Sequence, residues 1–132
     1  MSYADEAKYI ENRLKSQWGS TTDIAWSNIP YKPTPGENYI SLEIHNGDAF
    51  QASIGDSYLQ RSTGIISINV HTGRDIGERE GRSLADSAAA VFRRWSSNGI
   101  TCRMPKITRL GDIGDWFIFN VSIPFYRDEQ FS

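Results

Sequence analysis

The residues most suggestive of chemistry lie in Gly73-Arg74-Asp75-Ile76-Gly77-Glu78-Arg79-Glu80, which follows an apolar run and precedes a helix-like segment. A phosphate-binding loop occupies that position in many folds, because a helix N-terminus offers unpaired N–H groups. A Walker loop, however, needs a lysine and a hydroxyl after its last glycine, and acids stand there. The dinucleotide fingerprint also fails, since its three glycines are absent and a carboxylate would meet the anion. The segment suits helix initiation better: Asp75 caps, and Glu78, three residues on, completes a capping box.

The other candidates are equally plain. His45 and His71 are the only histidines. Both fall on polar faces of predicted strands, without the spacing that would bring them together on a metal. Cys102 is the single cysteine, so it has neither a disulfide partner nor a second thiolate for metal, and its place in an alternating run suits a buried thiol. Asp112 and Asp115 sit beside glycines, as turn aspartates do. No G-x-S-x-G elbow marks a nucleophilic serine. The residues therefore assign no catalytic, cofactor-binding or metal-ligating set, and the chain reads as a non-enzyme.

At 132 residues the chain suits one domain, 1–132, large enough to bury a core without staples. Its formal charge of −2 supplies no field to draw it to nucleic acid or an anionic membrane. The N-terminal segment lacks a basic region followed by an apolar core, and no window is long enough to span a bilayer. A reducing cytoplasm is the expected setting.

Periodicity supplies the elements. Tyr3, Ala7, Ile10, Leu14 and Trp18 recur at helical spacing, with Ser2 as cap and Gly19 as terminator. The proline-containing segment from Thr21 to Tyr39 predicts an extended connection outside the sheet interior. Ile40, Leu42 and Ile44 alternate as a strand; "HNGD" reads as a turn; Phe50, Ala52 and Ile54 alternate again before a second turn at "IGDS". Gly64 opens the most apolar strand, with Ile66, Ile68 and Val70 on one face. A second helix buries Leu84, Ala88, Val91, Phe92 and Trp95 and closes at "SSNG". Ile100, Cys102 and Met104 form a short strand, "RLGDIGDW" a turn, and Phe117, Phe119, Val121, Ile123 and Phe125 one face of a final strand. The order predicts an α+β domain, a mostly antiparallel mixed sheet of about five to six strands carrying two main helices.

Arg74, Arg79 and Arg82 interleave with Asp75, Glu78 and Glu80. Mixed charge of this kind is either a solvated helix face or a surface where one subunit's arginines meet the next subunit's acids.

The "IAWSNIPYKP" segment, "GIISINVHTGRDIG" before a helix ending in "AVFRRW", and the terminal "WFIFNVSIPF" together resemble phage tail terminator proteins, also called tail completion proteins, including the lambda-type terminator and related prophage domains. The resemblance runs from the first helix to the last strand. It implies a virion structural protein that forms a ring, typically a hexamer, on the end of the tail tube. The ring stops tube growth and presents a head-joining surface, and it can assemble only on the tail. Its implied partners are the tail tube protein and a head–tail connector protein, with no cofactor, no sequence-specific nucleic acid binding and no membrane. The implied location is the virion tail, and the host bacterial cytoplasm during assembly.

Loop placement then assigns subunit contacts to Arg74, Asp75, Glu78, Arg79 and Arg82, and tube or lumen contacts to Tyr58 and Arg61. Two alternatives remain beside this reading. One is a head–tail connector or other minor tail component. The other is a small cytosolic ligand-binding domain or enzyme, with a pocket near Trp26, Tyr31, His45 and His71.

Overall fold

The computed structural model describes residues 3–26, 29–33, 37–51, 58–73 and 78–131. Two helices, α1 (Tyr3–Trp18) and α2 (Glu78–Phe92), lie on one face of a seven-stranded sheet. Its strands are β1 (Asp23–Trp26), β2 (Tyr39–Gln51), β3 (Tyr58–Gly73), β4 (Ser96–Ser97), β5 (Ile100–Cys102), β6 (Lys106–Ile113) and β7 (Trp116–Phe131). The spatial order is β1-β2-β3-β7-β5-β4, and β6 pairs with β7 alongside β5. All pairings are antiparallel except β1 with β2. The predicted α+β class holds.

The centre is the β3–β7 ladder, in continuous register from Tyr58↔Phe131 to Gly73↔Trp116. Along β3 the even positions from Ser62 to Thr72 are buried and the odd ones are not, which is the period-two signature of a sheet covered on one side. Ile66, Ile68 and Val70 meet Phe119, Val121, Ile123 and Phe125 from β7, and Ile10, Leu14, Ala85, Ala88, Ala89 and Phe92 close over them. Gly64 faces Phe125 across the ladder. A Cβ there would lie 2.6 Å from Phe125 Cζ, so the missing side chain is what lets the ring lie over the strand.

Several expectations are revised by this arrangement. The "HNGD" segment is not a turn but a bulge between Asn46 and Ala49 inside one long β2, so the two predicted strands are one. "RLGDIGDW" is mostly β6, with only Gly114 and Asp115 turning into β7. The connection after α1 contributes a parallel edge strand, β1, where no proline interferes. α2 ends at Phe92, before "SSNG", with Arg94 in the left-handed region at φ 58°. "SSNG" instead builds the β4–β5 turn, using Asn98 at φ 53° and Gly99 at φ 84°. Trp95 therefore lies beyond the helix, and Met104 lies outside β5 and is exposed. Ser2, Asp75 and the "IGDS" turn with Ala52 and Ile54 lie outside the described residues.

One interior feature breaks the apolar pattern. Glu6 of α1 and Arg127 of β7 are both buried, and Arg127 Nε donates to Glu6 Oε1 at 3.1 Å. Asn46 Nδ2 donates to the other Glu6 oxygen at 2.8 Å, and Arg127 also reaches Glu129 at 3.0 Å. The ion pair fastens the first turn of α1 to the far end of the central ladder. At the other end of α1, Arg13 Nε donates to the Val91 carbonyl at 2.9 Å, satisfying a C-terminal acceptor of α2.

Removing one partner of a buried pair strands the other charge, so Glu6→Ala should lower the unfolding free energy by about 3–5 kcal/mol. The combined Glu6→Leu and Arg127→Met change should cost less than Glu6→Ala alone. Urea unfolding of the two variants checks both. Gly64→Val should cost about 1–3 kcal/mol in the same assay, through overpacking against Phe125.

Candidate assembly surface

Glu78, Arg79 and Arg82 lie on the first turns of α2 and are exposed. Glu78 Oε1 accepts from Arg82 NH2 at 3.1 Å and from Arg109 Nε of β6 at 2.7 Å. The hydrogen bond from Arg82 leads the effects that hold the Glu78 carboxyl below the usual range, and the bond from Arg109 adds to it. Both guanidiniums also cover aromatic rings, Arg82 at 5.5 Å from Phe119 and Arg109 at 4.9 Å from Phe117. Glu78 thus couples α2 to β6. Arg79 has no ion pair among the described residues, which leaves its charge available at the surface. Arg74 and Asp75 lie outside the described residues.

Tyr58 and Arg61 belong to β3 rather than to a loop. Tyr58 opens the ladder opposite Phe131. Arg61 is clamped by both oxygens of Asp128, at 2.7 and 3.0 Å, with its guanidinium 4.1 Å from the Tyr126 ring. Arg103 approaches the same ring at 5.4 Å. Such a fixed, half-exposed cation can present a defined contact, though it is not an adaptable one.

The face of the sheet away from the helices falls into three zones. At its centre, Asn120 Nδ2 donates to Ser67 Oγ and Asn69 Oδ1 at 2.9 and 2.8 Å, and Ser122 Oγ donates to Asn120 Oδ1 at 2.7 Å. Towards one end, an open groove of about 430 Å³ runs past His45, Thr63, Ile65, Pro124 and Tyr126. Towards the other, Tyr39 stacks on His71 with centroids 4.2 Å apart, Tyr31 lies 4.9 Å from Tyr39, and Trp116 stands edge-on at 5.2 Å.

The structure therefore brings Tyr31 and His71 together, as the pocket alternative expects, but not His45. Tyr39 pairs with His71 and His45 with Ile65, so the two histidines sit at opposite ends of a seven-residue stretch of ladder, about 20 Å apart. His45 pairs instead with Glu43 at 3.2 Å. Trp26 packs on the helix-covered side, against the core. Among the described residues no group of His, Cys, Asp or Glu converges as a metal site. Cys102 is buried, and burial pushes its thiol up to about 12.

The sequence reading overlooked β6. Its residues are mostly exposed, and Ile107, Leu110 and Ile113 recur every third position, a spacing foreign to a flat strand. The bulge between Arg109 and Gly111 shifts the alternation by one step, so Ile107, opposite Val121, and Ile113, opposite Trp116, lie on different faces of the sheet. Gly111, at φ 87°, was the available signal.

A family profile described as phage tail terminator protein matches residues 7–125. Nine solved chains match in fold. One is 19% identical, aligns over 100% of this chain and 99% of its own length, and superposes with a TM-score of 0.70. No curated relative matches. No described helix is long and apolar enough to cross a membrane.

Burial lowers the pKa of His71 from its ordinary 6.5, with the backbone at Asn69 and Tyr39 opposing more weakly, and its buried Nδ1 has no hydrogen-bond partner among the described residues. The neutral ring is favoured in the fold, so its contribution is complete above pH 6.5 and is lost as pH falls through the lowered value. His71→Phe, which keeps the stack on Tyr39, should lose less thermal stability than the parent between pH 7.5 and 5.5. Melting temperatures at the two pH values measure the difference.

Proposed function

Since the chain belongs to the phage tail terminator protein family, a family of structural tail proteins, we propose that it closes into a ring on the end of the tail tube, stops tube growth and offers the head-joining surface. The observation carrying this reading is the extent of the family match, from the first helix to the last strand. The surface chemistry is compatible with it. Charges at the α2 N-terminus and along β6 lie beside one another, linked through Glu78, and Arg79 remains unengaged among the described residues. A heterologous ring contact needs such a patch to meet a complementary one on the next copy. Its partners are further copies of itself, the tail tube protein on one side and a head–tail connector protein on the other.

Light scattering coupled to size exclusion, across concentration and at low and moderate salt, should find a species of roughly six protomers. If the free protein is a monomer, the ring should instead form on purified tail tubes and arrest their lengthening under the electron microscope. Arg79→Glu should impair either assembly, whereas His71→Ala should leave it nearly unchanged. Tubes that keep growing with the protein bound would refute the reading.

A further inference from the structure

Among the described residues the sheet ends at β1 on one side and at the two-residue β4 and at β6 on the other. Among the described residues β1 pairs only with β2, and β6 only with β7. An unpaired strand edge presents a row of backbone donors and acceptors to solvent, and proteins ordinarily blunt such edges. β6 carries a bulge and Lys106, which blunt an edge, but it is also rich in exposed apolar side chains. Half of the large exposed apolar side chains among the described residues fall in a ten-residue stretch: Met104 at 78%, Ile107 at 36%, Leu110 at 47% and Ile113 at 52% exposure. The bulge between Arg109 and Gly111 divides the edge, leaving Lys106–Arg109 as a regular run of the same length as the four-residue β1.

The charges on the two edges are complementary. Lys106 starts the β6 run with no ion pair among the described residues. At the start of β1, beside the residues that lead into β2, Asp23 and Glu37 line a polar recess of about 320 Å³ whose other walls are hydroxyl and amide side chains. The Asp23 carboxylate accepts from the Tyr31 hydroxyl at 3.1 Å and has no ion pair among the described residues. Among the described residues no cation lines that recess.

We propose that Lys106–Arg109 of β6 pairs with β1 of a second copy of this chain, Lys106 entering the Asp23 and Glu37 recess, so that neighbouring sheets join edge to edge. The inference rests on the ring reading and assigns its contact. Because the two edges differ, each pairing leaves one free β1 and one free β6 edge on the growing assembly, and only closure removes both. A two-fold contact of β6 with β6 would instead set like charges together and end at a dimer.

A charge exchange tests the pairing. One variant carries Lys106→Glu with Thr108→Glu; the other carries Asp23→Lys with Glu37→Lys. Each alone should assemble at roughly tenfold or more higher concentration than the parent, because like charges meet at the contact. Mixed in equal amounts they should assemble as the parent does, since every contact in an alternating ring is again complementary. Recovery on mixing also shows that neither variant is misfolded. Parent-like assembly of either variant alone, or no recovery on mixing while circular dichroism shows both folded, would overturn the edge pairing and leave the ring reading standing. A parent protein that forms no ring in solution or on tail tubes would remove both.

Discussion

Everything else in the molecule attaches to the antiparallel pairing of β3 with β7. Sixteen rungs in unbroken register fix which side chains face the helices, because a slip of one residue would turn every apolar side chain outward. β2 adds to one side of this ladder, and β5 and β6 share the other. The helices have one apolar surface to land on. The buried Glu6–Arg127 pair has its position from the same register: Arg127 follows Phe125 on the inner face, two residues on, and arrives beneath the first turn of α1. A buried ion pair is a poor source of stability against an apolar alternative. It does favour this placement of α1, which gives the buried Arg127 a second carboxylate beside Glu129.

What could be read from the sequence follows from where periodicity survives. α1, the inner faces of β3 and β7 and the stripe of α2 were legible because one covered face imposes a clean period of 3.6 or 2. Ala85 and Ala89 escaped notice only because small side chains do not announce burial as Phe92 does. The long hairpin was misread where the Asn46–Ala49 bulge supplied turn-like residues inside a continuous strand. β6 was missed because an edge strand is wet on both faces and its bulge breaks the phase. Glu6 and Arg127 each fall on the apolar phase of their own element, and that coincidence was their only trace.

The candidate surface was legible in part. Glu78, Arg79 and Arg82 do lie exposed on α2, and their interleaved charges were visible as a pattern. What no local pattern contains is the link from Glu78 to Arg109, thirty-one residues away on a strand that had not been recognised. Arg61 was placed in an adaptable loop and is instead held rigidly by Asp128. Long-range pairings of this type depend on topology, and topology is set by the ladder rather than by the neighbours in sequence.

The buried thiol of Cys102 bears on the life of the particle. A virion tail outside a cell meets oxidants without the thiol buffers of a reducing cytoplasm. The reactive species in disulfide exchange and peroxide oxidation is the thiolate. With its acidity suppressed to about 12 and its sulfur covered, Cys102 contributes almost none. Cys102 is thus poorly suited to form a disulfide with another molecule in an oxidising setting.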